Sequence, residues 1–266
     1  MNDIHSPPDD SISPPPEPPD GVGADTPTKV SASDRLSSLF EVVICSGYPT
    51  QLLVGGVLAG LGLVSMDSGG GLSLIWVVVL SLTDAVLLVA IILYFLHRSG
   101  ESARTVFLGS RPLGPELTLG LPIMILSLVV AMASLGMLHS FFPDLSNVPE
   151  NPLQGLLESP SSAAVFAVVA ILAGAVREEL QRAFVLHRFD QHLGGGWLGL
   201  GIFSIAFGLG HLLQGWDAAI VTGLLGALWG AMYLRRRSVG SAMVAHAGFN
   251  VTEILIALIG IATVNG

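Results

Sequence analysis

Apolar residues gather along this chain in long runs separated by short polar connections. A bilayer core about 30 Å thick takes about 20 apolar residues in helix. Runs of that kind occupy residues 46–66, 72–96, 117–141, 161–186, 197–214, 216–234 and 239–262. The pattern predicts an all-α fold: a polytopic membrane helix bundle of about seven transmembrane helices. The first run is the weakest, because Gly47, Pro49 and Gln51 interrupt its start, and residues 39–45 ahead of it read as an interfacial helix. The longest connection, 142–160, leaves no room for a soluble domain between spans. Residues 1–35 are of another kind. Eight prolines, among them Pro14-Pro15-Pro16, alternate with Ser, Asp and Gly, and such a segment lacks the apolar surface to offset its chain entropy. Residues 1–38 are therefore expected to be a disordered cytoplasmic tail and 39–266 the transmembrane domain. The tail is not a secretory signal, having no basic start followed by an apolar core.

Composition agrees with this division. Hydrophobic residues make up 51% of the 266 and charged residues 12%, about half the charged share of a soluble domain. The single Cys45 excludes a disulfide scaffold, and a net charge of −9 argues against a nucleic-acid partner. The placement of arginine then orients the bundle. Arg98, Arg104 and Arg111 follow the second run, Arg182 and Arg188 end the fourth, and Arg235–Arg237 separate the last two. The alternate connections carry Asp67, Asp144, Glu150, Glu158 and Asp217, with no Lys or Arg. All basic connections share one side if the N-terminus is cytoplasmic, in a multi-pass protein of the cell membrane.

Ionisable groups inside spans cost at least ~2.5 kcal/mol on insertion scales and mark function by default. Three constellations stand out. Glu178 and Glu179 are adjacent carboxylates that cannot both ionise cheaply where water is scarce, and Glu178 and Arg182 are four residues apart on one helical face. Phe207 and His211 share a face in a span with almost no other polar group, with Gly208 and Gly210 between them. His246 and Asn250 present two hydrogen-bonding groups together beside Gly248, and Glu253 follows one turn later. Each group alone reads as an ordinary helix end, interfacial histidine or helix–helix clasp. Their joint occurrence on three spans points to chemistry.

There is no Ser-centred elbow, no pair of Asp in two spans and no His-Glu-x-x-His helix, and Cys45 is remote from the cluster. Two carboxylates, two imidazoles and an amide remain, and two schemes use them. In one, a glutamate takes a proton from water that attacks a peptide carbonyl, while His and Asn stabilise the oxyanion. In the other, Glu178, His211 and His246 hold a zinc ion that activates the water. A reading from another class also uses buried Glu and His, as the proton relay of a transporter or as parts of a non-catalytic scaffold. Asp84, in the second run, favours it, whereas the lack of a repeat between the two halves does not.

A glutamate pair followed by arginine, then Phe207-x-x-x-His211, then His246-x-x-x-Asn250, resembles the CPBP family of intramembrane proteases. That family includes CAAX prenyl endopeptidases and the Abi-like, bacteriocin-processing type. The stretch Gly223–Arg237 is similar as well, and the likeness covers about Ala163–Ala262, a protease core at about 161–262. It implies an intramembrane endopeptidase acting on a peptide or protein, lipidated in some members. It further implies Glu178 as water-activating base, Glu179 as its partner, His211 as ligand or polariser, and His246 with Asn250 as oxyanion stabilisers. Arg182 and Phe207 are implied in support. One departure is plain: the family pattern reads Glu-Glu-x-x-x-Arg, and Glu178-Glu179-Leu-Gln-Arg182 is one residue shorter.

Depth adds an expectation. At about 1.5 Å per residue, Glu178 lies toward the cytoplasmic end of its span and His246 about 10 Å in from the same side. His211 would sit too far outward if its helix began at Trp197. The helix is therefore expected to start late, near Gly201, with the active-site cavity open to the cytoplasm. Glu253 is expected on the cavity wall or against Asp84. His97, His187 and His192 are expected at the interface, and His139 near the outer end of the third run.

Overall fold

A computed structural model of the chain describes residues 30–67, 70–149 and 151–265. Most of the expected tail, residues 1–29, lies outside them. Helix α1 spans Ala32–Ile44, so helix begins inside the expected 1–38 tail, where the Ser31 side chain accepts from the amide of Asp34 and caps the first turn. Helix α2 spans Tyr48–Gly60 and is bent 43° from α1 at Gly47, whose φ is 90°. The apolar and polar sides of α1 are arranged for lipid. Ser38 and Glu41 face the protein, while Leu36, Leu39, Phe40 and Val43 are exposed.

The other long helices are α3 (Leu74–Arg98) and α5 (Leu113–Phe141), with the short α4 (Ala103–Leu108) between them. A continuous helical rod follows over Pro160–His192, made of α6 (Pro160–Val169), a π-helical segment (Ala170–Arg177) and α7 (Glu178–His192). Ser159 and Ser162 form a reciprocal capping box at its start. Helices α8 (Gly196–Leu209), α9 (Trp216–Arg236) and α10 (Gly240–Asn265) complete the bundle. Among the described residues, five helices are long and apolar enough to span a membrane, six with the bent α1–α2 pair. The remaining expected span, 197–214, is the fourteen-residue α8, short for a crossing. The chain is an all-α, multi-pass membrane bundle.

The late start near Gly201 is not observed. Helix α8 begins at Gly196, because Gly194 and Gly195 adopt φ of 100° and 104° and the Asp190 carboxylate accepts from the amide of Gly196 at 3.2 Å. It also ends early, so that His211 stands in the turn beyond the helix.

Small residues let the helices that carry the site approach closely. A Cβ on Gly208 of α8 would come within 2.5 Å of the Ala219 carbonyl of α9, and one on Gly226 within 2.8 Å of the Phe207 ring. At the arginine-bearing end the bundle is filled by an apolar cluster. It joins Leu88, Ile92 and Leu96 of α3 to Phe184 and Leu186 of α7 and Tyr233 of α9.

Candidate active site

The site is built around Arg182, which is fully buried. Its guanidinium lies 4.7 Å from the centre of the Phe207 ring and 5.7 Å from that of Trp229, a stacking geometry in which the ring faces stabilise the cation. The remaining direction is taken by Glu179, which accepts a hydrogen bond from Arg182 Nη1. The expected pairing of Glu178 with Arg182 does not form. The aromatic walls from α8 and α9 aim the guanidinium at the next carboxylate along, three residues away rather than four.

Glu179 is doubly held. His246 Nδ1 lies 2.9 Å from its Oε1, which makes Nδ1–H the donor and turns Nε2 toward the cavity. The His246 ring stacks on Trp229 at 3.9 Å and 20°, and Trp229 Nε1 donates to Ser127 Oγ on α5 at 3.0 Å. Four elements thereby fix one imidazole. Glu178 is half-buried. Its Oε2 lies 3.8 Å from His246 Nε2, and no guanidinium is bonded to it among the described residues.

His211 donates from Nδ1 to the Phe207 carbonyl at 2.9 Å, which leaves Nε2 as a free acceptor. Asn250 is placed otherwise than expected. Its Nδ2 donates to the Ala170 carbonyl at 3.1 Å, so it clasps the π-helical segment, where i→i+5 bonding displaces the carbonyls from their α-helical partners. One amide N–H of Asn250 is left for the cavity. Asn250 also explains Gly174, where a Cβ would come within 2.9 Å of Nδ2.

Glu178, His211, His246 and Asn250 all line one cavity of about 580 Å³, together with Phe207, Trp229, Asp84, Arg177 and Glu253. Asp84, the residue on which a transporter would rest, is bound by Arg177 Nη2 at 2.6 Å and is 2% exposed. Glu253 stands on the cavity wall and not against Asp84. His139 pairs with Asp217 at 3.0 Å, His187 with Glu101 at 2.6 Å, and His192 with Ser38 at 2.7 Å, all outside the cavity lining.

The cavity lining also includes Asn151, Gln154 and Gln214, on the connections without Lys or Arg. The zinc scheme does not fit this donor set. Among the described residues no three His, Cys, Asp or Glu side chains converge on a metal position.

The sequence pattern did not single out Trp229 or the Arg177–Asp84 pair as parts of the site. A tryptophan seven residues inside an Arg-terminated span, away from the interfacial belt, was the available signal for the first. The second joins residues 93 apart and needs the fold.

No curated protein and no solved structure matches the chain. Residues 159–252, about a third of it, match the family described as type II CAAX prenyl endopeptidase Rce1-like. The matched segment runs from the cap of α6 to the middle of α10 and so contains Glu178, Glu179, Arg182, Phe207, His211, His246 and Asn250, but neither Asp84 nor Glu253. Over this segment the chain is similar to the CAAX prenyl endopeptidases, a group within the CPBP family of intramembrane proteases.

Proposed function

We propose that the protein is an intramembrane endopeptidase in which Glu178 activates water. One observation carries this reading. Of the carboxylates beside the imidazoles, Glu179 is held by Arg182 and His246 and Asp84 by Arg177, whereas Glu178 lines the cavity with no guanidinium bonded to it among the described residues. A water between Glu178 and His211 Nε2 gives its proton to the Glu178 carboxylate as its oxygen attacks the peptide carbonyl. The oxyanion takes hydrogen bonds from protonated His246 Nε2 and from the free N–H of Asn250. Collapse of the tetrahedral adduct returns the proton from Glu178 to the departing amine. Glu179 keeps His246 in one orientation and offsets its charge. The substrate is a peptide segment at the membrane, lipidated or not, and no metal takes part in the cycle.

Proteomics of membrane peptides from cells bearing wild-type or Glu178→Gln protein tests this. Substrate fragments should vanish in the variant, with a loss of about 10²–10⁴-fold in rate for removal of a general base. His211→Ala and His246→Ala should behave alike, with membrane insertion intact. Retained cleavage in all three variants would remove the reading. Activity should also survive prolonged treatment with a strong chelator; loss on chelation and recovery with zinc would reinstate a metal.

A further inference from the structure

We propose that Asp84 of α3 is a positioning residue for Glu178, whose carboxylate it keeps free by binding Arg177. The proposal rests on the endopeptidase reading and adds to it a residue from outside the segment that matches the family.

Arg177 is the last residue of the π-helical segment and precedes Glu178 directly. Both line the same cavity. A cation taken out of water without a partner is costly, so an arginine at this place must find a carboxylate. Glu179 is already held by Arg182 and His246, which leaves Glu178 as the acid of the rod that a free Arg177 would take. Neighbouring side chains leave a helix about 100° apart, and the long arginine arm can fold back into the cavity to close that angle.

The fold supplies a rival acid. Asp84 Oδ2 accepts from Arg177 Nη2 at 2.6 Å, with the two residues 2% and 5% exposed. The bend between α1 and α2 covers the same guanidinium. A Cβ on Gly47 would come within 2.8 Å of Arg177 Nη2 and 3.1 Å of Gln181 Nε2. The guanidinium is thus seated between α3 and the bend, with no bond to Glu178 among the described residues.

Stability alone does not account for the pair. Asp84 Oδ1 and Arg177 Nε are buried and find no partner among the described residues, and an ion pair with unmet buried atoms is weak support for a fold. Its value lies in direction. Glu178 stands between two buried arginines of one rod, Arg177 just before it and Arg182 four residues after. Each of them is bonded to a different acid, Arg177 to Asp84 and Arg182 to Glu179.

Carbodiimide labelling tests this without depending on catalysis. Dicyclohexylcarbodiimide, an apolar reagent that adds to protonated carboxyl groups, is applied to the full chain in detergent, and adducts are assigned to single residues by fragment mass spectrometry. In wild type Glu178 should label and Glu179 should not. In Asp84→Asn the freed Arg177 takes Glu178, and labelling there should fall by about tenfold or more, as a charge-assisted hydrogen bond implies. The double variant Asp84→Asn with Arg177→Met should restore it. A merely loosened bundle would instead raise labelling at both glutamates. Asp84→Ser stands in if Asp84→Asn fails to insert. Glu178 labelling that is absent in wild type, that does not fall in the single variant, or that stays low in the double variant would overturn the proposal. Failure of the peptidase reading has a different signature: the labelling pattern holds while membrane peptides are unchanged by Glu178→Gln.

Discussion

Arg182 shows how one side chain can decide the roles of its neighbours. It is fully enclosed, and two of its nitrogens, Nε and Nη2, find no hydrogen-bond acceptor among the described residues. Aromatic faces take their place. A lysine cannot reproduce this, since an ammonium has neither the plane to stack nor the fork to reach Glu179. Arg182→Met breaks a buried ion pair and leaves Glu179 with His246 as its remaining partner, at a cost of about 3–5 kcal/mol. Thermal unfolding in detergent should therefore show a large drop for Arg182→Met. Asn250 makes a contrasting case. Because Nδ2 donates to the Ala170 carbonyl, Asn250→Asp sets two acceptors against each other and should lower the unfolding midpoint more than Asn250→Ala does. The sequence made the residue types of this cluster legible, and the i, i+4 spacing of His246 and Asn250 did put both on the cavity wall. It did not make the pairings legible. Spacing on one helix offered Arg182 to Glu178, and only aromatic rings from two other helices turn it to Glu179.

The element that matters most is the π-helical stretch Ala170–Arg177, which ends one residue before Glu178. A π turn spends an extra residue per hydrogen-bonded ring, so the stretch sets the rotation of everything after it. Deleting Leu172, which is exposed on the outer face, should let the helix relax toward α geometry, withdraw the Ala170 carbonyl from Asn250 and shift Glu178 in the cavity. Peptidase activity should be lost while the protein still inserts and unfolds cooperatively. Activity equal to wild type would mean that the π turn does not position Glu178. Nothing in the apolar run announced this stretch, because Ala, Ile, Leu, Gly and Val serve α and π turns alike; the contact with Asn250, eighty residues on, identifies its purpose. Helix α8 failed as an expectation for a related reason. Its glycines were read as delaying the start, whereas two left-handed glycines with the Asp190 cap begin it at once.

Across the whole molecule, the rod from Pro160 to His192 carries three buried arginines, each matched with a carboxylate: Arg177 with Asp84 and Arg188 with Glu41 and Glu101 from outside the rod, and Arg182 with Glu179 three residues before it. The last pairing lies at the end of the bundle and can be followed by pH. Burial alone would raise the Glu101 pKa, but its bonds to Arg188, His187 and Gln191 outweigh this and hold it below the usual carboxylate range. A carboxyl held low contributes stability above its unfolded pKa and loses it as the pH falls through the folded one. Wild type should thus exceed Glu101→Gln in unfolding midpoint at neutral pH, and the gap should close in acid. A gap that persists unchanged below the carboxylate range would refute the role. At this scale the sequence was informative about span order and the common side of the arginines. It did not show the apolar cluster that joins α3, α7 and α9, because a pattern counted along single helices cannot see a layer assembled from several of them.

That apolar cluster has a mechanical consequence. Leu88, Ile92, Phe184, Leu186 and Tyr233 join α3, α7 and α9 in one packed group, and a side chain removed from such a group leaves a void that its neighbours close only in part. Because α7 also carries Glu179 and Arg182, slack introduced there is passed along the helix to the pair that holds His246.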